Sequence, residues 1–293
     1  MSGLIFDGRE LARQKEKELA DKITKMGVIL RMASVVFEED GESLLYTRLK
    51  QEAAVRVGIQ FSQTRVSLLD SKERVKEAVE IYCHRQDIVG VLIQKPEKEV
   101  WRRVTRAPKL GSGFSDWWRD VTRALHPKKD VDCLTEVNLQ RVYAGQWRVL
   151  PATVQAVMEV LGQAAGERRV ESQTGLNLTG VRAVVVGRSD IVGRPLAAVL
   201  SQSGAEVKLY GLDLNYDELR HSDIVVSATG VENLIRGEMI RPGAVVIDVG
   251  SKSGDVDLES VREVAGFVTP VPGGVGPITV VSLLENLVGM VGS

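Results

Sequence analysis

The stretch Gly187-Arg188-Ser189-Asp190-Ile191-Val192-Gly193-Arg194-Pro195 decides how this chain is read. It follows the β-branched run Ala183-Val184-Val185-Val186 and leads into Leu196-Ala197-Ala198-Val199-Leu200, a good helix former. A buried strand that passes through a glycine turn into a helix start is how α/β proteins offer backbone N–H groups to phosphate. The helix start carries roughly half a positive charge, so an anion gains there without a dedicated side chain. The spacing Gly187-x5-Gly193 is not the G-x-G-x-x-G fingerprint, and a tight strand-to-helix turn that binds nothing has the same outline. Strand-like runs at 183–186, 206–210, 224–227, 245–249 and 266–268 surround the turn, separated by helices or turns. That beat predicts a parallel sheet with right-handed crossovers. Ala228-Thr229-Gly230 and Asp248-Val249-Gly250 fall at two strand ends, where such a sheet opens its crevice.

Length and composition set the outer limits. At 293 residues about two domains are expected, and 44% apolar with 26% charged residues is ordinary for a globular protein. A net charge of −1 gives no cationic field for nucleic acid or an anionic membrane. Two cysteines, Cys83 and Cys133, are too few for a disulfide framework or a metal centre, so no metal is expected. The N-terminus opens into a charged helical pattern without a signal-peptide core, and no apolar run is long enough for a membrane span. The expectation is cytoplasmic.

The N-terminal half reads as helix at 7–25, strand at 32–37 and helix at 43–57 closed by Gly58. Ser43, Tyr46 and Lys50 fall at i, i+3 and i+7, so they share a helix face, either as a solvated stripe or as part of a site. A strand at 64–69 and a helix at 71–83 follow, then the run Ile88-Val89-Gly90-Val91-Leu92-Ile93, ending on the amide of Gln94. From 101 to 125 the texture changes to a loop insertion and a short helix, with Trp117-Trp118 anchoring it. In Lys129-Asp130-Val131-Asp132 the two acids point to opposite faces if extended, so at most one faces a pocket. A domain boundary is expected near Pro151, ahead of a helix at 154–161. Near the end, Thr269-Pro270-Val271-Pro272-Gly273-Gly274-Val275-Gly276-Pro277-Ile278-Thr279 is expected to be irregular backbone, a surface linker or a working loop. The apolar helix expected at 280–288 then returns to the first domain.

With these pieces in place, the chain resembles the bifunctional methylenetetrahydrofolate dehydrogenase/methenyltetrahydrofolate cyclohydrolase family along nearly its whole length. The resemblance rests on Ser43-x2-Tyr46-x3-Lys50, Gly90-Val91-Leu92-Ile93-Gln94, Lys129-Asp130-Val131-Asp132, Gly187 to Pro195, and Pro270 to Thr279. It implies an N-terminal α/β substrate domain (1–148, completed by a C-terminal helix at 279–293) and a Rossmann-like nucleotide domain (149–278). It implies a homodimer acting on tetrahydrofolate derivatives. Lys50, Tyr46, Gln94 and Asp132 would be catalytic. Ser43, Tyr46, Asp132, Pro272, Gly273, Gly274, Pro277, Ile278 and Thr279 would meet the folate. Thr153, Gly187, Arg188, Ser189, Ile191, Val192, Gly193, Ala228, Thr229, Gly230, Asp248, Gly250 and Gly274 would hold NADP.

NAD stays open as the cofactor, because Gly211-Leu212-Asp213 places an acid where relatives are small or basic. Cys133-Leu134 stands where the family commonly has Gly-Phe, and Lys95-Pro96-Glu97 replaces a Leu-Pro-Leu type stretch. Two other readings compete: another Rossmann dehydrogenase of a small amino or hydroxy acid, and a catalytically silent nucleotide-binding regulator.

Overall fold

The computed structural model describes residues 3–107, 113–165, 173–250 and 253–291. The first half runs β1 (Leu4–Ile5), α1 (Gly8–Met26), β2 (Arg31–Phe37), α2 (Gly41–Arg56), β3 (Gln60–Val66), α3 (Lys72–His84), β4 (Gly90–Ile93), α4 (Lys98–Thr105), α5 (Gly113–Thr122) and α6 (Glu136–Tyr143). The second runs α7 (Ala152–Ala165), β5 (Arg182–Val186), α8 (Gly193–Gln202), β6 (Glu206–Tyr210), α9 (Tyr216–His221), β7 (Ile224–Ser227), β8 (Val245–Asp248), α10 (Leu258–Arg262), β9 (Phe267–Val268) and α11 (Val275–Gly289). The chain divides into two compact units, Met1–Gln14 with Gln140–Ser282, and Lys15–Leu139 with Leu283–Ser293.

The first unit holds a six-stranded parallel sheet in the order β1-β9-β8-β7-β5-β6. Its inner strands are β-branched on both faces because helices cover both sides, which removes the alternation of a half-wet sheet. Val184, Val186, Val225, Val246 and Val268 are fully buried in one cluster with Leu219, Ile235 and Val261. The edge strand β1 was not expected here, since residues 1–148 were read as the other domain. Leu4 and Ile5 instead pair with Phe267 and Val268, and the Phe6 and Phe267 rings sit 5.3 Å apart. Two residues carry too little pattern to announce a strand.

The second unit is built on a three-stranded parallel sheet, β3-β2-β4. β2 is buried nearly throughout, whereas β3 lies at the edge with only Val66 buried. That exposure explains why β3 was expected at 64–69: in Gln60-Phe61-Ser62-Gln63 a single apolar residue, Phe61, stands among polar ones and does not mark a strand start. The loop insertion and short helix expected across 101–125 form two helices, α4 and α5, with 108–112 outside the described residues. Its tryptophans anchor it as expected. Trp101 packs edge-on against Phe114 at 5.4 Å, and Trp117 reaches Phe37 of β2 at the same distance.

α6 was not expected, and α11 begins earlier than the 280–288 read from sequence. Its first turn includes Pro277, where a missing N–H costs nothing because early helical N–H groups have no partner within the helix. Irregular backbone therefore covers 269–274 and stops short of Thr279. The later part of α11 does return to this second unit. Lys15 meets Glu285 at 3.0 Å, and the Asn286 side-chain amide donates to the Val131 carbonyl at 2.9 Å. Gly90 makes that seat possible: a Cβ there would overlap the side chains of Val131 and Leu287.

Candidate active site

Helix α2 starts with a cap that also ties down the neighbouring strand end. Asp40 accepts hydrogen bonds from the Ser43 backbone N–H at 3.1 Å and from its hydroxyl at 2.8 Å. The same carboxylate accepts the Glu97 N–H at 2.7 Å, which fixes the segment after β4 along the helix. The buried face of α2 is Ser43, Thr47, Lys50, Ala53 and Ala54, while Leu45 and Leu49 are exposed. Ser43 therefore belongs to the cap. Its hydroxyl is buried and donates to the Asp40 carboxylate.

Lys50 lies one turn beyond Tyr46, only 8% exposed, and its Nζ donates to Gln94 Oε1 at 2.8 Å. Gln94 is held in place by its own N–H to the Val35 carbonyl, 2.9 Å away. Burial pushes the Lys50 ammonium below its ordinary pKa, with the charge of Asp132 pulling weakly the other way. Because the amide is neutral, nothing in the bonded pair forces the amine to stay charged. Tyr46 is half-buried, and burial, then the charge of Glu97, push its phenol upward, so it is a neutral ring at physiological pH.

Asp132 sits in a loop organised by its neighbour. Asp130 is fully buried and accepts from the Leu134 N–H (2.9 Å), the Thr135 N–H (2.8 Å), the Thr135 hydroxyl (2.7 Å) and the Asn138 amide (3.0 Å). Val131-Asp132 is a turn and not the extended segment considered from sequence; Asp130 is turned inward and Asp132 is the half-buried acid of the pair. Cys133, between Asp132 and Leu134, adopts φ 55°, a left-handed conformation that glycine takes without strain. Its thiol is buried and pushed far up by desolvation, then by Asp130 and Asp132, so it is chemically quiet.

In the first unit the glycine turn closes on itself. A Cβ on Gly193 would overlap the Gly187 carbonyl, and one on Gly187 (φ 118°) would overlap that of Ala228. The Ser189 hydroxyl oxygen accepts the Val192 and Gly193 N–H groups, both at 3.2 Å, and the Arg194 N–H goes to the Ser189 carbonyl at 3.0 Å. The amides of Val192 and Gly193, expected to face phosphate, are thus engaged within the turn. Ile191 and the exposed Arg188 remain on it, and the Ser189 hydroxyl keeps one proton to donate.

Asp248, also expected at the cofactor, is buried instead and accepts the Gly250, Asp255 and Val256 N–H groups. Asp255, which sequence reading missed, gathers the adjacent strand end. It accepts from the Ser227 and Thr229 hydroxyls and from the Thr229 and Gly230 N–H groups, all within 2.9 Å. Its only sequence signal is a carboxylate after Gly254, and its partners lie more than twenty residues earlier. Thr153 is half-buried in the first turn of α7.

The Pro-Gly-Gly loop is clasped by the N-terminus. The Gly8 N–H donates to the Gly273 carbonyl at 2.9 Å, and the Gly274 N–H to the Pro270 carbonyl at 2.8 Å. The Val271–Pro272 bond is cis. Pro272 is exposed and Pro277 half-buried, while Ile278 is fully buried and the Thr279 hydroxyl donates back to the Val275 carbonyl at 3.2 Å. Ile278 and Thr279 are thus committed to the helix and its packing.

A parallel sheet with a closed glycine turn in one unit, and a desolvated lysine in a separate α/β unit, fit a nucleotide-dependent α/β enzyme of two units. Residues 6–108 match the model of the tetrahydrofolate dehydrogenase/cyclohydrolase catalytic domain, and 151–292 that of the same family's NAD(P)-binding domain. The chain belongs to the tetrahydrofolate dehydrogenase/cyclohydrolase family. The bifunctional protein FolD of Methanoculleus marisnigri is 37% identical over 97% of this chain and 94% of its own. The methylenetetrahydrofolate dehydrogenase-cyclohydrolase of Trypanosoma brucei, solved with NADP and an inhibitor, superposes with a TM-score of 0.85. It is 30% identical, covering 99% of this chain and 97% of that one. A shikimate dehydrogenase from Aquifex aeolicus, at TM-score 0.50 and 11% identity, shares the fold alone.

Proposed function

We infer that this chain oxidises 5,10-methylenetetrahydrofolate to the methenyl derivative with NADP and hydrolyses that product to 10-formyltetrahydrofolate, and that both steps turn on Lys50. The observation that carries this reading is the buried Lys50 amine bonded to a neutral amide. Loss of hydride leaves a cation on the one-carbon bridge. A second positive charge about 4 Å away would cost roughly 4 kcal/mol at an effective dielectric of 20, so a neutral amine is the tolerable neighbour. Gln94 accepts one amine N–H and leaves the nitrogen lone pair free to take a proton from water attacking the methenyl carbon. The carbinolamine then collapses: its bond from carbon to N5 breaks, N5 gains a proton as the hydroxyl becomes the formyl oxygen, and Lys50 releases its proton to solvent.

Asp132 suits the pterin's N–H donors, and Tyr46 offers a neutral ring face for stacking. Pro272, Gly273, Gly274 and Pro277 keep the folate-contact role that the family resemblance gives them. Bound NADP supplies the hydride acceptor. The fit of this chain to it rests on the turn where Gly187 and Gly193 leave no room for a Cβ, on Arg188 and Ser189 beside it, and on Thr229 and Gly230 fixed by Asp255. Thr153, Ile191, Ala228, Gly250 and Gly274 complete the assignment. The domain roles follow, with folate on the Lys15–Leu139 unit and NADP on the six-stranded sheet.

We read the enzyme as a cytoplasmic homodimer. Two free cysteines suit a reducing compartment, and β6 is an edge strand of the larger sheet. No helix among the described residues is long and apolar enough to cross a membrane.

The test is the absorbance of methenyltetrahydrofolate followed with wild type and Lys50→Met. The variant is expected to lose at least about 100-fold in hydrolysis, the scale of a removed proton-transfer group, while NADP binding is unchanged. Equal turnover by the two proteins overturns the reading.

A further inference from the structure

The turn that would hold the cofactor carries a charge pair with no part in the chemistry above. Arg188 Nη2 lies 3.2 Å from Asp213 Oδ2, and the other Asp213 oxygen accepts the Gly211 N–H at 3.0 Å. The end of β6 is pinned beside the turn, because the Gly187 N–H donates to the Tyr210 carbonyl at 2.8 Å. Gly211 sits under the arginine: a Cβ there would come within 3.5 Å of Arg188 Nη1 and 2.8 Å of Asp213 Oδ1. The second guanidinium nearby, Arg194, is turned to the Arg188 carbonyl (3.2 Å) and to Asp190 (3.4 Å). Arg188 is therefore the cation presented at the tip of β6, and it is already paired.

In doubly wound sheets an acid at this place receives the ribose 2′-hydroxyl of NAD, whereas an arginine receives the 2′-phosphate of NADP. This chain has both, bonded to each other. A 2′-phosphate brings nearly two negative charges, so it must pull Arg188 from Asp213 and then sit beside the freed carboxylate. A 2′-hydroxyl meets neither cost, and it donates to a carboxylate held ready by the Gly211 N–H.

We propose that Asp213 is the residue that sets nicotinamide choice, reserving Arg188 and thereby bringing NAD within about tenfold of NADP in affinity. This rests on the reading of Arg188 as the 2′-phosphate contact. The pair is well exposed, 48% and 67% at the two side chains, so solvent and salt moderate its effect.

The experiment is equilibrium binding of NADP and NAD, by titration calorimetry at low salt, to wild type, Asp213→Asn and Arg188→Ala. Asparagine keeps an acceptor for the Gly211 N–H but drops the charge. It is expected to tighten NADP about fivefold and to weaken or leave unchanged NAD, the difference shrinking toward 0.5 M salt. If Asp213→Asn shifts both dinucleotides by the same factor, or neither, while Arg188→Ala selectively loses NADP, the Asp213 proposal falls and the reading of Arg188 survives. If Arg188→Ala leaves NADP affinity intact, both fall.

Discussion

Lys50 and Arg188 are both cations read from sequence as site residues, and each has a hydrogen-bonded partner within 3.2 Å. Their surroundings differ in the two respects that decide a charge's behaviour. Lys50 is buried and bonded to a neutral amide, so desolvation works against its proton. Arg188 is about half exposed and bonded to a carboxylate, so it meets water and a counter-charge in place of a dry, neutral partner. On the function proposed above, the first pair is suited to exchanging protons and the second to exchanging partners.

The sharpest way to break the contrast is to give the buried pair the partner that the exposed one has. Gln94→Glu places a carboxylate on Lys50 and holds the proton there. Hydrolysis at neutral pH is expected to fall about 100-fold. In wild type the rate should rise with pH through a limb lying below the ordinary lysine value, as the amine becomes neutral, and in the variant that limb should move up. A pH–rate profile checks both points, and an unmoved limb would show that Lys50 is not the titrating base. The folding linkage has a matching sign. Between its lowered folded value and its ordinary unfolded one, the unfolded chain binds more protons, so the Lys50 contribution to stability rises with pH over that window.

Next in size is the contrast between buried and exposed carboxylates. Asp130→Ala leaves two backbone N–H groups, a hydroxyl and an amide without their acceptor in a dry loop. About 3 kcal/mol of stability is expected to go, read from urea unfolding, because donors to a buried charge are costly to orphan. Glu52, whose pairing with Arg48 is largely exposed, should lose no more than about 0.5 kcal/mol on the same change. Equal losses at the two positions would remove burial as the deciding variable.

The smallest expected effect concerns backbone. Cys133→Val keeps an apolar side chain but puts a β-branched residue at φ 55°, and should be less stable than Cys133→Gly by about 1–2 kcal/mol. Equal stability would mean that the loop relaxes out of the left-handed conformation.

What could be read from the sequence was whatever declares itself locally. The β-branched runs of the larger sheet stood out because both faces are covered, and Gln94 stood out as a polar residue ending an apolar strand. Lys50 could be placed on a helix face, but not inside, because α2 reverses the usual pattern: Ser43, Thr47 and Lys50 face in while Leu45 and Leu49 face out. Asp248 was taken for a ligand contact since strand ends line crevices, yet its carboxylate is spent on backbone. The residues that hold the site loops, Asp40, Asp255 and Asn286, were invisible because their partners are distant: Glu97, the 227–230 strand end and Val131. The early start of α11 was hidden by Pro277, which reads as a breaker wherever its place in the first turn is unknown.

The bond from Asn286 to the Val131 carbonyl has a consequence for synthesis. Residues 15–139 leave the ribosome well before their companion segment from 283 onward, with five of the six strands of the larger sheet translated in between. At ordinary elongation rates that wait is on the order of ten seconds. During it the seat beside Gly90 stands open, with Val131 and its neighbouring acids unsupported, so the nascent protein completes the Asp130–Asp132 loop after the six-stranded sheet has been made.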